Sequence, residues 1–182
     1  AHLYMKRDVK PTSVRSSERY QQEIYEHDLI CLMLNERLSK QQSEAKAPFT
    51  AASVKDGKFL IVQTKKAFSL SVSCKRDQIE AGLSAAVGLL EQARQWGFTT
   101  GELTRAKGIL RNKAERCNNQ RGQLANHHYV KQCLDHYLYG EPILSTAEEL
   151  HVRRKFDAEL TLADVNTAIK ELVTDRNQVL LL

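Results

Sequence analysis

Several ingredients of familiar protein classes are scarce in this chain of 182 residues. It has three prolines, eight glycines and one tryptophan, a composition that excludes collagen-like and low-complexity chains. No apolar run approaches the ~20 residues that a membrane-spanning helix needs. The four cysteines are too few and too widely spaced for a disulfide scaffold, and no CxxC pair suggests a zinc ribbon. We therefore expect buried free thiols at Cys31, Cys74, Cys117 and Cys133.

Catalytic motifs are also absent from the sequence. The chain has six histidines, but it contains neither HExxH nor the reversed HxxEH, and no two histidines are four residues apart. His128 and His136 share a predicted helix face but lie about 12 Å apart along its axis, too far for joint ligation. No GxSxG, GxGxxG or P-loop motif occurs. Carboxylate pairs such as Glu148-Glu149 are typical of a helix surface. We predict no catalytic, cofactor-binding or metal-binding residue in this chain.

The positive charge of the chain is concentrated in one segment. The net charge is +5, and residues 99–121 contain six basic residues against two acidic ones, Glu102 and Glu115. These basic residues fall on more than one helix face and have no aromatic residues between them for base stacking. The pattern favours a helix that faces solvent or an acidic partner over a nucleic-acid interface. The basic residues are Arg105, Lys107, Arg111, Lys113, Arg116 and Arg121.

Strands are predicted at both ends of the chain and in its first half. Residues 2–8 and 178–182 are predicted to be the first and the last strand in the sequence. Three further strands are predicted between them, at residues 48–54, 58–64 and 67–74. Asp56-Gly57 is predicted to form a hairpin turn between the first two of these three. The third strand alternates, which places Phe68, Leu70, Val72 and Cys74 on a core face and the intervening serines on a face that is wet or lines a cavity.

Helices are predicted to cluster in the second half, after one long early helix. That helix begins at Ser16-Ser17-Glu18 and runs about six turns. Its segment 29–34 is apolar on nearly every side, which is typical of a helix buried between layers. A polar loop is predicted at 41–46. Further helices are predicted at 77–96, 100–121 and 124–139, the last ended by Gly140, and two more begin at Ser145-x-x-Glu148 and Thr161-x-x-Asp164.

Residues 94–115 contain the sharpest local signal, a corner between two helices. Gly97 is predicted as a left-handed cap that ends the first helix. Thr99 is predicted to cap the second helix, Glu102 completes a Thr-x-x-Glu capping box, and Phe98 precedes the cap as a hydrophobic staple for Leu103. The second helix is expected to turn its lysines and arginines outward and to present inward Leu103, Ala106, Leu110, Ala114 and Cys117.

Early strands, late helices and a strand at each end predict an α+β fold. The expected architecture has two layers, a mainly antiparallel sheet with helices packed on one face. No internal repeat is visible. Ala1 is not an initiator methionine and the chain closes on a strand-like segment, so we expect both ends to be cuts within a longer protein.

Several stretches, taken together, resemble the insulinase/pitrilysin family of zinc metallopeptidases, and specifically the non-zinc domain that follows the catalytic one. The most telling is Trp96-Gly-Phe-Thr-Thr-Gly-Glu-Leu-Thr-Arg-Ala-Lys107. The others are the helix ending Leu34-Asn-Glu-Arg-Leu38, the region Pro48-Phe49-Thr-Ala-Ala with Asp56-Gly57, residues 68–90, and the helix start at 161–165. The resemblance covers essentially the whole chain. It implies that residues 1–182 are a single non-catalytic domain excised from a longer multi-domain chain.

The resemblance also implies a function. In this family zinc is held in a different domain through HxxEH, and later copies of the fold keep no metal and close a chamber around unfolded peptides. The expected partners are the catalytic zinc domain of the parent and unfolded peptide, with no cofactor in this domain. The family's peptide-contacting Arg and Tyr would fall near Ser43 and Thr50, which do not match, so no peptide-contacting residue is predicted.

Two alternatives remain open at this point. The same fold serves as a non-enzymatic assembly protein related to respiratory-complex core subunits, and the motif that would decide between the two functions lies outside this chain. A basic nucleic-acid-binding domain is the other alternative. The compartment is also open, with the cell envelope or periplasm and the cytoplasm both compatible with the sequence.

Overall fold

The computed structural model describes residues 1–44, 47–62 and 64–182. Its described strands are β1 (His2–Asp8), β2 (Ala51–Lys58), β3 (Lys65–Ser73) and β4 (Gln178–Leu181). They form one antiparallel sheet in the order β2-β3-β1-β4. The register pairs Leu70 of β3 with Leu3 on one side and with Val54 on the other. Apolar residues of three strands therefore stack on one face.

Seven α-helices make up the described helical part. A single turn, α1 (Thr12–Arg15), precedes the long α2 (Glu18–Gln42), and α3 (Ile79–Trp96) follows the sheet hairpin. The later helices are α4 (Thr100–Asn119), α5 (Asn126–Tyr139), α6 (Thr146–Glu159) and α7 (Leu162–Leu172). The helix α2 runs into the predicted loop as far as Gln42, while residues 45 and 46 of that loop lie outside the described residues.

The core lies between the apolar sheet face and the helices, with α2 at its centre. Leu29, Ile30, Met33 and Leu34 of α2 have no exposed surface, and α2 contacts β2 on one side and α4 and α7 on the other. The apolar run in this helix was correctly predicted to be buried between layers. The two-layer α+β fold predicted from the sequence is confirmed. No helix among the described residues is long and apolar enough to span a membrane.

The opposite face of the sheet is polar. Ser53 and Ser73 are exposed, and Ser69 and Ser71 are half-buried. Ser69 Oγ donates a hydrogen bond to the carbonyl of Lys55 at 3.0 Å, so part of this serine set binds the sheet's own backbone. The prediction that the third strand has an apolar core face and a serine face is therefore confirmed.

The predicted hairpin turn at Asp56-Gly57 is wrong. Both residues lie inside β2, where Asp56 is paired with Phe68 and Gly57 with Ala67. The chain instead turns after Phe59, whose N–H binds the carbonyl of Lys65, and residue 63 within this turn lies outside the described residues. Two strands therefore replace the three that were predicted. The cause is long-range, because the Asp56 side chain bonds Arg7 and His27 instead of closing a turn.

Helix starts were predicted well because they depend on neighbouring residues alone. Thr99, Ser145 and Thr161 each begin a helix, and each has a complete capping box with the acid three residues later. Gly140 ends α5 in the left-handed helical conformation, as expected. Gly97 also has a positive φ of 74°, but its ψ of −158° places it outside the predicted left-handed helical region. That conformation is essentially restricted to glycine.

We predict that Gly97→Ala destabilises the protein by more than 1 kcal/mol. A β-carbon at Gly97 would lie 2.5 Å from Cγ of Asn166, and its backbone conformation would be strained as well. Urea unfolding followed by circular dichroism measures the loss.

The matched control is Gly88→Ala in the middle of α3, where an added β-carbon meets nothing within 4 Å. Since alanine is the better helix former, this control should gain roughly 0.5–1 kcal/mol. Equal effects of the two substitutions would contradict the close packing at Gly97.

Candidate functional site

The corner between α3 and α4 is tied to the central helix by Arg37. The guanidinium of Arg37 donates from Nε to Glu102 Oε1 at 2.7 Å and from Nη2 to Glu102 Oε2 at 2.9 Å. The same Nη2 donates to the carbonyl of Gly97 at 2.9 Å, and the guanidinium carbon lies 4.9 Å from the centroid of the Phe98 ring. This bidentate ion pair fixes both the distance and the orientation of the first turn of α4 relative to α2.

A second contact joins the corner to α7. The N–H of Phe98 donates to Asn166 Oδ1 at 2.8 Å, while the N–H of Thr99 donates to Glu102 Oε2 at 2.8 Å. Asn166 therefore satisfies an N–H next to the start of α4, which the helix itself cannot pair. The corner thus joins α2, α3, α4 and α7.

The remaining residues of the most telling motif also serve the fold. Leu103 and Ala106 are buried in the core. The Lys107 ammonium donates at 2.6 Å to the carbonyls of Asp157 and Leu160, at the end of α6. A lysine that binds the unpaired carbonyls of a helix end stabilises that end. The motif residues that serve packing, capping or turning are therefore Gly97, Phe98, Thr99, Glu102, Leu103, Ala106 and Lys107.

The basic residues of α4 are partly neutralised within the chain. Arg105 pairs with Glu36 at 2.9 Å, and Arg111 with Asp157 at 3.4 Å. The prediction that all of them point outward is wrong for Lys107, which is half-buried because it caps α6. Lys113 and Arg116 are exposed, and neither pairs with a carboxylate of the described residues.

We predict that Glu102→Gln lowers the free energy of unfolding by roughly 1–3 kcal/mol at pH 7. The hydrogen bonds from Arg37, and then those from Thr99, lower the pKa of Glu102 to about 2. Since an unfolded glutamate has a pKa near ~4.3, this stabilisation is complete above that pH and is lost as the pH falls towards ~2. Chemical unfolding across this pH range should show the two proteins converging in acid.

Glu148→Gln is the matched control for this experiment. Glu148 occupies the same capping-box position in α6, but no arginine pairs with it among the described residues. Its substitution should change stability less than Glu102→Gln at pH 7. A wild-type pH dependence that survives in Glu102→Gln would show that another group causes it.

A second polar cluster lies at one end of the core-facing side of the sheet. Asp56 Oδ2 accepts hydrogen bonds from Arg7 Nη2 at 2.5 Å and from His27 Nδ1 at 2.9 Å. Burial tends to raise the pKa of Asp56, but these hydrogen bonds from His27 and Arg7 outweigh it and hold the pKa below its usual range. The three residues come from β1, α2 and β2, so sequence spacing alone gave no signal for this cluster.

A separate set of polar contacts lies next to the Arg7–His27–Asp56 cluster, because Arg7 of β1 is paired in register with Lys66 of β3. Lys66 Nζ donates to the Tyr20 hydroxyl at 2.7 Å, and that hydroxyl donates to Glu141 Oε1 at 3.1 Å. Burial lowers the pKa of Lys66 and raises the pKa of Tyr20. These shifts follow from desolvation of the charged forms. The chain of contacts links β3, α2 and the segment after α5.

The Arg7–His27–Asp56 cluster has the histidine and carboxylate of a catalytic triad, but among the described residues no hydroxyl or thiol bonds to His27. Cys31 lies one turn along α2, and burial raises the pKa of its thiol to about 12, which removes thiolate chemistry at neutral pH. A groove of about 930 Å³ adjoins His27 and is lined mostly by charged residues of α2 and α7. Burial raises the pKa of Glu26 in this groove. These side chains carry charge, but among the described residues no activated hydroxyl or thiol bonds to His27.

The other residues singled out from the sequence have structural roles or stand apart. Ser43 ends α2, and the Thr50 hydroxyl donates to the carbonyl of Ser73 at 2.9 Å. Among the residues described, no three His, Cys, Asp or Glu side chains are close enough to hold a metal ion. The expectation of buried thiols is wrong for Cys133, which is exposed on α5, and Cys31, Cys74 and Cys117 are only half-buried.

The fold is shared with domains of known peptidases. The chain is similar to the first half of the periplasmic protease PqqL from Escherichia coli, with 18% identity and a TM-score of 0.81 over 94% of this chain and 36% of that one. It is also similar to a predicted insulinase family protease from Yersinia pestis, with 12% identity and a TM-score of 0.71 over 93% of this chain and 36% of that one.

A third similar structure is a peptidase M16 inactive domain from Pseudomonas fluorescens, at 17% identity and a TM-score of 0.64, covering 97% of this chain and 38% of that one. No protein-family model matches the chain, and no curated protein matches it in sequence. The chain spans 36–38% of the length of these three solved chains. Its fold is that of an insulinase-type peptidase domain, as the resemblance in sequence predicted.

Proposed function

We propose that this chain is a non-catalytic domain of a zinc-dependent endopeptidase, whose zinc is bound in a different domain of the parent protein. The observation that supports this proposal is the shared fold, with a TM-score of 0.81 to half of a periplasmic protease, in a chain that lacks HxxEH. The similar M16 inactive domain shows that this fold also occurs without activity.

The internal contacts support a role that is not chemical. The corner of α3 and α4 uses its polar groups for capping and for the ion pair with Arg37. The residues of the Arg7–His27–Asp56 cluster bond to one another, and among the described residues no hydroxyl or thiol bonds to His27. Arg7 Nη1 and Asp56 Oδ1 are buried without a hydrogen-bond partner in the part of the chain that the structure describes, but no bound group is needed to explain the other contacts of this cluster. We therefore assign the function of the domain to its surfaces.

The polar face of the sheet is the surface that we assign to peptide. The hydroxyls of Ser53 and Ser73 are exposed on this face and can donate and accept hydrogen bonds. The Ser69 hydroxyl already donates to a backbone carbonyl of β2, and the Ser71 hydroxyl is hydrogen-bonded to His2. A wall of this kind contacts an unfolded chain without selecting one shape or one side-chain type. The proposed role is therefore part of a chamber that encloses unfolded peptide next to the catalytic zinc domain.

The test compares this chain of 182 residues with the complete gene product. We expect the chain alone to bind no stoichiometric zinc by elemental analysis and to leave a quenched fluorescent peptide intact. The complete product should cleave that peptide, lose activity with a chelator and regain it with zinc. Stoichiometric zinc in the chain alone, or chelator-sensitive cleavage by it, would refute the proposal. So would a complete product that has no peptidase activity.

A further inference from the structure

The helix α5 is oriented with its apolar side towards solvent. Five apolar side chains fall within one half of the helix circumference, and all are well exposed. Val130 is 55%, Leu134 52% and Tyr137 85% exposed, and Tyr129 and Leu138 are each more than 40% exposed. No residue of α5 is buried. An ordinary surface helix would turn this side to the core. We call Tyr129, Val130, Leu134, Tyr137 and Leu138 the α5 face.

The opposite side of α5 is polar and is fastened to the domain. Asp135 pairs with Lys58 of β2 at 3.2 Å, and the Lys58 ammonium lies 3.1 Å from the centroid of the Tyr139 ring. Gln132 Nε2 donates to the carbonyl of Leu144 at 3.1 Å. The Arg15 guanidinium donates to the carbonyl of Tyr139 at 2.5 Å. Rolling the helix to bury its apolar side would break these contacts, so the outward orientation is built into the fold.

Five exposed apolar side chains on one side of a helix favour contact with a partner that removes them from water. Each large apolar side chain that moves from water into an interface contributes about 1.5–3 kcal/mol. Monomeric proteins rarely expose contiguous apolar patches of more than a few hundred Å², and larger patches often mark interaction sites. Interfaces between domains of one chain bury roughly 600–1,500 Å².

Charge at the edge of the α5 face indicates what covers it. Arg121 lies beside the face, because the Tyr129 hydroxyl donates to the Arg121 carbonyl at 3.1 Å. The Arg121 side chain is exposed, its guanidinium donates to the carbonyl of Asn118 at 3.2 Å, and it pairs with no carboxylate of the described residues. A second copy of this chain would bring two such basic edges together, whereas a partner with an acidic rim would complement them.

We propose that the α5 face is the docking surface for another domain of the parent polypeptide, which contacts it through an apolar patch rimmed by carboxylates. This inference rests on the proposed function, in which the chain is one domain of a larger protein. The chain's +5 net charge and its basic edge at Arg121 favour this occupant over a second copy.

Cys133 provides a probe for the test. It is exposed and lies on the apolar side of α5, one turn from both Tyr129 and Tyr137. We measure its alkylation rate with iodoacetamide by peptide mass spectrometry, in the chain of 182 residues and in the complete gene product. We expect the rate to fall at least tenfold in the complete product. Equal rates would overturn the proposal, as would a gene that encodes no further domain.

Paired variants separate docking from other effects. In the complete product, Leu134→Glu with Tyr137→Glu should restore rapid alkylation of Cys133. Ile109→Glu on α4, where the side chain is equally exposed at 52%, should leave Cys133 protected. In the chain of 182 residues the same substitutions should change the melting temperature little, because these side chains are already in water. Protection of Cys133 that persists in the double variant would contradict the proposal.

Two further results distinguish this inference from its alternatives. Sedimentation of the chain of 182 residues should show a monomer, and a dimer that protects Cys133 would make a second copy the occupant and overturn the proposal. The peptidase activity of the complete product is measured in a separate assay. Protection of Cys133 in a complete product without zinc-dependent activity would refute the proposed function and leave the docking surface standing.

Discussion

The ion pair between Arg37 and Glu102 is the contact on which the arrangement of the helices depends. Both side chains are nearly buried, 15% and 11% exposed, and they come from the central helix and from the first turn of α4. Glu102 also completes the cap of α4, and Arg37 also holds the carbonyl of Gly97. A buried pair of this kind adds little net stability over apolar residues, but losing one partner is costly. Its main contribution is to fix the orientation of α4 relative to α2.

This geometry gives a structural contact to several residues of the motif that resembles a peptidase family. Gly97 allows the turn, Glu102 receives Arg37, and Lys107 binds the end of α6. A sequence signal of this strength invites a catalytic interpretation, yet each of these residues contributes to folding. The two surfaces to which we assign a function, the serine face of the sheet and the α5 face, both lie away from this corner.

Local features could be predicted from the sequence, and features set by distant contacts could not. The caps at Thr99, Ser145 and Thr161 depend on residues three apart, and all three were found. Asp56 was placed in a turn, although its partners Arg7 and His27 are 49 and 29 residues away. The extent of α5 and its end at Gly140 were predicted, but the sequence pattern did not show that an apolar side of this helix faces water. That depends on Lys58, which lies in another element.

The central claim, that Arg37 and Glu102 act as one unit that holds the corner, is tested most directly by a double-mutant cycle. Arg37→Met, Glu102→Gln and the double variant are unfolded in urea at pH 7, and the coupling energy is taken from the four proteins. If the two side chains act as one unit, the double variant is less destabilised than the sum of the two single variants, with a coupling of roughly 1–3 kcal/mol. Additive losses, with a coupling within about 0.3 kcal/mol of zero, would contradict it.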